Sequence, residues 1–142
     1  MNITNAKFIV ASGPVIIEDG KVLLNRHGDD NLWKFPGGRV ESADFDSGRD
    51  ALEMACKRES KEEMGIDVEI IRPFKTLMVP HPEKSDTIII LVHYLAKRIG
   101  EIKAGADIKE YDWFDLNNLP DNCAPNIKTI VEEFLKESKK ST

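Results

Sequence analysis

Apolar and polar positions along this chain change period several times, and each change marks an element. Residues 8–17 are apolar and β-branched apart from a Ser-Gly-Pro break at 12–14, and read as a first strand. Glu18-Asp19-Gly20 follows, with Asp-Gly the usual hairpin signal. Residues 21–26 (KVLLNR) form the second strand, 27–31 a polar loop, and 32–35 a short extended piece. Phe35 precedes a proline, which biases it away from helix. Residues 37–48 read as a long turn region, then a helix from about Ser47 to Met64. Gly65 stands where a helix C-cap glycine belongs. Residues 67–80 read as strand broken at Pro73, 86–96 as the most β-prone segment, and 109–115 as a last strand. Pro125 opens a closing helix that ends near Ser138. The order β-β-β-α-β-β-β-α implies an α/β (α+β) fold, a mixed β-sheet with helices on its faces.

At 142 residues the chain suits one domain, residues 1–142, with a real core. Hydrophobic content of 41% and charged content of 32% fit a soluble globular protein. No apolar run approaches a membrane span, and no signal pattern opens the chain. Cys56 and Cys123 make neither a disulfide framework nor a metal-spaced pair, so free thiols in a cytoplasmic, reducing compartment are expected. A net charge of -5 gives no footprint for nucleic acid. It also means an anionic substrate needs a cation or a local basic patch.

Candidate chemistry concentrates in Arg58-Glu59-Ser60-Lys61-Glu62-Glu63-Met64-Gly65-Ile66. Glu59, Glu62 and Glu63 stand at i, i+3 and i+4, which puts three carboxylates on one helix face. Like charges one turn apart repel, so stability alone does not favour this arrangement. A hard divalent cation held by carboxylate oxygens resolves the conflict. Phe35-Pro36-Gly37-Gly38-Arg39 is a tight turn able to bring backbone carbonyls to the same ion. A solvated face with Lys57 and Lys61 as partners is the bland alternative.

These residues resemble the Nudix (MutT-type) hydrolase box, G-x5-E-x7-R-E-U-x-E-E-x-G-U, where U is bulky and apolar. Gly38, Arg58-Glu59, Glu62-Glu63 and Gly65-Ile66 match it, and the box region spans 37–66. Three departures stand out. Counting back from Arg58, Asp50 occupies the place of the first glutamate; eleven residues rather than five separate it from Gly38, an enlarged loop at 39–49; and Ser60 replaces an apolar residue. In the family that first carboxylate supports the box arginine and the local turn.

The resemblance implies a Nudix-like α/β/α sandwich. It also implies hydrolysis of a diphosphate linkage in a nucleoside diphosphate derivative, with Mg²⁺ as cofactor and Mn²⁺ as substitute. Glu59, Glu62, Glu63 and the Gly37 carbonyl are the implied metal ligands. Arg58 either orients the box carboxylates or touches phosphate. Glu59 and Glu110 are the candidate general bases. Arg26 and Arg39 are candidate phosphate contacts, each balanced by a plain surface role. Trp33 and Phe35 are candidates for stacking on a base or for the core. His27, His81 and His93 read as structural or exposed. Pro82 falls sixteen residues after Ile66, a weak marker of ADP-ribose-type members, and (d)NTPs stay open. A homodimer is open as well.

Two rival functions remain. One is a catalytically silent Nudix-like nucleotide sensor, which the retained box glutamates disfavour. The other is a calcium loop with Ser42, Asp44, Asp46 and Glu53 in EF-hand-like register, disfavoured because Ser47 stands where glycine is needed.

Overall fold

The computed structural model describes residues 5–140. Strand β1 (Lys7–Val15) runs straight through the expected Ser-Gly-Pro break. Strand β2 (Ile17–Glu18) and strand β3 (Lys21–His27) form the hairpin signalled by Asp-Gly. Asp19 and Gly20 both have positive φ, 52° and 75°, as a two-residue hairpin turn of matching twist requires. Strand β4 (Gly38–Arg39) is followed by a 3₁₀ segment at Ser42–Asp50 and helix α1 (Ala51–Met64). The α-helix therefore starts about one turn later than the expected Ser47. Gly48, at φ 71°, breaks the path into α1. Gly65 is left-handed at φ 67° and donates to the Lys61 carbonyl, closing the helix.

The broken strand at 67–80 resolves into β5 (Asp67–Pro73) and β6 (Leu77–Pro80). Both pair antiparallel with β7 (Thr87–Ile99). Strand β8 (Ile108–Asp115) and helix α2 (Pro125–Lys140) complete the chain. The strands divide into two sheets. One has β4-β1-β7-β5 in order with β6 also on β7, and β1 and β7 run parallel. The other has order β2-β3-β8. The mixed α/β architecture with flanking helices is thus present.

Small residues let α1 lie close to the larger sheet: Ala51, Ala55 and Cys56 are buried, and Cys56 packs on Val92 and Tyr94. Ser60, where the box has an apolar residue, is fully buried and donates Oγ–H to the Cys56 carbonyl at 2.7 Å. The hydroxyl is satisfied within the helix, so the departure leaves no unpaired group. Helix α2 buries Ile127, Ile130 and Val131 against Val15, Leu24, Trp33 and Phe35. A further cluster of Ile16, Leu23, Met64 and Ile66 ties the end of α1 to the hairpin. The last turn of α1 is thereby anchored on one side and open on the other.

Candidate active site

Two backbones meet at the start of the site. A Cβ added at Gly13 would lie 2.1 Å from the Pro36 carbonyl oxygen. One added at Gly37, where φ is 143°, would lie 2.8 Å from Gly13 Cα and from the Ser12 carbonyl oxygen. Only glycine allows this approach. It pins the Pro36–Gly37 turn onto β1, and Gly38 then pairs with Ser12. A Cβ at Gly38 would lie 2.6 Å from the Glu59 carboxyl carbon. The turn therefore presents bare backbone to the helix carboxylates.

Arg58 organises the acidic face. Its Nε and Nη2 donate to the two oxygens of Asp44 at 2.9 and 3.0 Å. Nη1 donates to Glu59 Oε1 at 2.9 Å and to Glu62 Oε2 at 3.1 Å, and Nη2 also donates to the Arg39 carbonyl at 2.9 Å. The Asp44 partner, then Glu59, drives the guanidinium pKa up, while Arg58 holds Asp44 below the usual carboxylate range. The structure corrects the assignment of Asp50. Asp50 is exposed, and Asp44 does the work expected of the first box acid. Counted forward from Gly38, Asp44 keeps the x5 spacing, so the six extra residues lie at 45–50. The same contact overturns the calcium-loop reading, because Asp44 is spoken for by an arginine.

Glu63 is gripped on both oxygens. Oε1 accepts from the Gly37 amide at 2.9 Å and from Asn25 Nδ2 at 3.2 Å; Oε2 lies 3.1 Å from His27 Nε2. Burial pushes the Glu63 and Glu59 carboxyls up, against the pull of these partners. Glu62 is different, with its side chain 57% exposed. Gly37 is placed beside Glu63 through its N–H.

Among the described residues, no three His, Cys, Asp or Glu side chains are gathered closely enough to hold an ion alone. The donor chemistry nevertheless fits a hard cation. A carboxylate has about four lone-pair sites and these acids use only some of them. Mg²⁺ characteristically takes few protein ligands and keeps water and substrate phosphate oxygens.

The remaining candidates divide. Arg26 is paired with Glu110 across β3 and β8, so the two groups answer each other's charge. The Arg26 guanidinium also sits 5.2 Å from the Trp33 ring centroid, and its Nε is buried without a partner. Phe35 is buried, edge-on to His93 with centroids 5.4 Å apart, and Trp33 is edge-on to Phe114 at 4.7 Å. Both aromatics belong to the core, and Phe35 at 9% exposure has little surface left for stacking on a base, against the expectation from sequence. The Arg39 side chain is exposed, and its carbonyl serves Arg58. A cleft of about 780 Å³ adjoins the carboxylates, lined by His27, Asp30, Lys34, Pro82, Glu83 and Asp107 among others. His27 alone belongs to both cleft and cluster.

Sequence reasoning missed Asn25, His27 and Asp44. The Gly38-x5-Asp44 spacing was a usable signal for Asp44. Asn25, polar inside an otherwise apolar strand, was a weaker one. His27 offered none.

A Gly-Gly turn closed on a helix bearing Arg-Glu and Glu-Glu pairs, between a mixed sheet and a second small sheet, defines a class. A family model of the NUDIX domain matches residues 7–134, and the chain belongs to that family of hydrolases. Like its relatives it is a pyrophosphohydrolase, in a family that generally uses divalent cations. It is 32% identical over 130 residues to an ADP-ribose pyrophosphatase of Methanocaldococcus jannaschii, covering 89% of this chain and 73% of that protein. The fold is similar to that of a MutT NUDIX hydrolase from Burkholderia pseudomallei, with TM-score 0.74, 25% identity, and coverage of 89% and 97%. It is also similar to an ADP-ribose pyrophosphatase from Streptococcus suis, with TM-score 0.64, 25% identity, and coverage of 87% and 84%. No helix among the described residues is long and apolar enough to cross a membrane.

Proposed function

We propose that this protein hydrolyses the diphosphate linkage of a nucleoside diphosphate derivative, with ADP-ribose-like compounds preferred over (d)NTPs. The observation that carries the reading is the carboxylate face of α1, built from Glu59, Glu62 and Glu63 and organised by Arg58 against the Gly37–Gly38 turn. Two things support ADP-ribose-like substrates. The Methanocaldococcus relative carries that activity in its name, and Pro82 lines the cleft.

Glu59, Glu62, Glu63 and the Gly37 carbonyl would hold Mg²⁺, or Mn²⁺ in its place. The bound ion would neutralise phosphate oxygens and lower the pKa of a bound water. The chain's own groups do the rest. Water attacks one phosphorus and gives up a proton to the base, the bond from that phosphorus to the bridging oxygen breaks, and from an ADP-ribose-like diphosphate two monophosphate products leave. Glu59 is the better-placed candidate base, because its carboxylate lies on the helix face that meets the Gly38 backbone. Glu110 is occupied by Arg26. Arg58 acts on the carboxylates, since all its donors are taken by protein oxygens. Arg39, whose side chain is exposed, is the better candidate for a phosphate contact outside the ion, whereas Arg26 would have to leave Glu110 to make one. The setting is cytoplasmic, which the two free cysteines support.

A substrate panel of ADP-ribose, NADH, dinucleoside polyphosphates and (d)NTPs, run with Mg²⁺ and with Mn²⁺, tests the reading. ADP-ribose turned over with the highest kcat/KM is the expected result. Preference for a (d)NTP would overturn the substrate assignment, and binding without turnover under either ion would overturn the mechanism.

A further inference from the structure

Strand β3 places two polar side chains, Asn25 and His27, against one carboxylate. Asn25 is fully buried on a strand whose neighbours Leu23 and Leu24 are core. Its Nδ2 donates to Glu63 Oε1 at 3.2 Å and approaches Met64 Sδ at 3.4 Å, while its Oδ1 is buried with no partner. A half-satisfied buried amide is a poor stabiliser, so stability does not account for it. His27 follows two residues later, across a register shift where Arg26 pairs with Glu110 but His27 pairs with Ile108. Such a bulge re-aims a side chain. Here His27 Nε2 comes within 3.1 Å of Glu63 Oε2. Gly37 supplies the third contact from its amide.

We propose that Asn25 and His27 are positioning residues that fix the rotation of the Glu63 carboxylate, so that its free lone pairs face the ion and the cleft. The proposal rests on Glu63 being a metal ligand. Partners that orient a ligating carboxylate commonly change metal affinity or activity by 10–100-fold when lost. His27 has a second part in the geometry. It lines the cleft as well, so the group that holds Glu63 also borders the space a substrate enters.

The test is Mn²⁺ binding followed by electron paramagnetic resonance without substrate, beside kcat and KM for ADP-ribose, in His27→Leu, His27→Gln and Asn25→Leu. His27→Leu is expected to weaken Mn²⁺ binding and lower kcat by about tenfold, with KM changed less than about twofold. His27→Gln, which keeps an N–H donor, restores most of both. Asn25→Leu loses Mn²⁺ affinity by a similar factor while its melting temperature holds or rises, because an unpaired acceptor leaves the core. Unchanged Mn²⁺ affinity in His27→Leu and Asn25→Leu, with a lowered melting temperature, would overturn the proposal and leave both residues structural. Should Asn25→Leu fail to fold, the His27 pair decides, since that side chain is 41% exposed. Wild-type protein that binds no Mn²⁺ would instead overturn the reading of the site itself.

Discussion

Arg58 grips Asp44 with two parallel hydrogen bonds, Nε to Oδ1 at 2.9 Å and Nη2 to Oδ2 at 3.0 Å, across fourteen positions of sequence. The Asp44 side chain is only 3% exposed. The same carboxylate accepts the Glu41 amide at 2.8 Å and so starts the 3₁₀ segment. Removing it leaves part of a half-buried guanidinium unanswered. Asp44→Ala should cost about 2–3 kcal/mol in urea unfolding. Asp50→Ala, at an exposed site, should stay within about 0.5 kcal/mol. A larger loss for Asp50 than for Asp44 would return the box acid to position 50.

The acids beyond Arg58 act in the opposite sense. Burial raises the Glu59 and Glu63 pKa above the ordinary 4.5. A carboxyl with a raised folded pKa contributes fully below its unfolded value. That contribution is lost as pH climbs through the folded value. Metal-free Glu63→Gln should therefore melt at or above wild type at neutral pH. Millimolar Mg²⁺ should raise the wild-type melting temperature and not that of the variant. Differential scanning calorimetry reads both, and a wild-type curve indifferent to Mg²⁺ would count against the site.

His93 gives a separate pH signature. Its Nδ1 lies 2.7 Å from the Lys75 carbonyl oxygen, and its Nε2 lies 3.1 Å from Asn126 Nδ2. Hydrogen on Nδ1 suits the Lys75 carbonyl, and a second proton on Nε2 would then confront the Asn126 Nδ2 group. Burial lowers the pKa from 6.5. A depressed histidine keeps its contribution above the unfolded value and loses it as pH falls toward the folded one. Between pH 7 and 5, wild type should lose stability relative to His93→Gln by up to about 1.4 kcal/mol per pH unit. The difference between the two proteins is the quantity to measure, because Glu59 and Glu63 drift the other way. Parallel curves would show that His93 does not titrate between the states.

Glu110 is paired with Arg26 across β3 and β8. Glu110→Gln should lower kcat by less than about tenfold and leave the acidic limb of its pH profile in place. A loss beyond about a thousandfold, with that limb displaced, would identify Glu110 as the base.

Local chemistry is legible in the chain itself. Asp19-Gly20 names its hairpin, Gly65 its helix end, and Pro125 the start of α2. Periodicity sets three carboxylates on one face. What spacing alone hides is which acid reaches Arg58. Counting back from the arginine crosses an insertion, whereas counting forward from Gly38 does not. Contacts made by remote strands are hidden for a different reason. Asn25 meets Glu63 across 38 positions, and Arg26 meets Glu110 across 84. No local pattern encodes either. The division of strands between two sheets depends likewise on long-range pairing of β3 with β8. Phe35 illustrates the same limit, since an aromatic beside a glycine turn reads equally as core or as a stacking platform.

In the proposed mechanism the acids of α1 serve hydrolysis rather than folding. ADP-ribose turnover with Mg²⁺ in Glu62→Gln and in Glu63→Gln, each at circular dichroism matched to wild type, separates the two roles. Turnover is expected to fall by at least about a hundredfold in both variants. Undiminished turnover in the two, with the fold intact, would place the chemistry elsewhere.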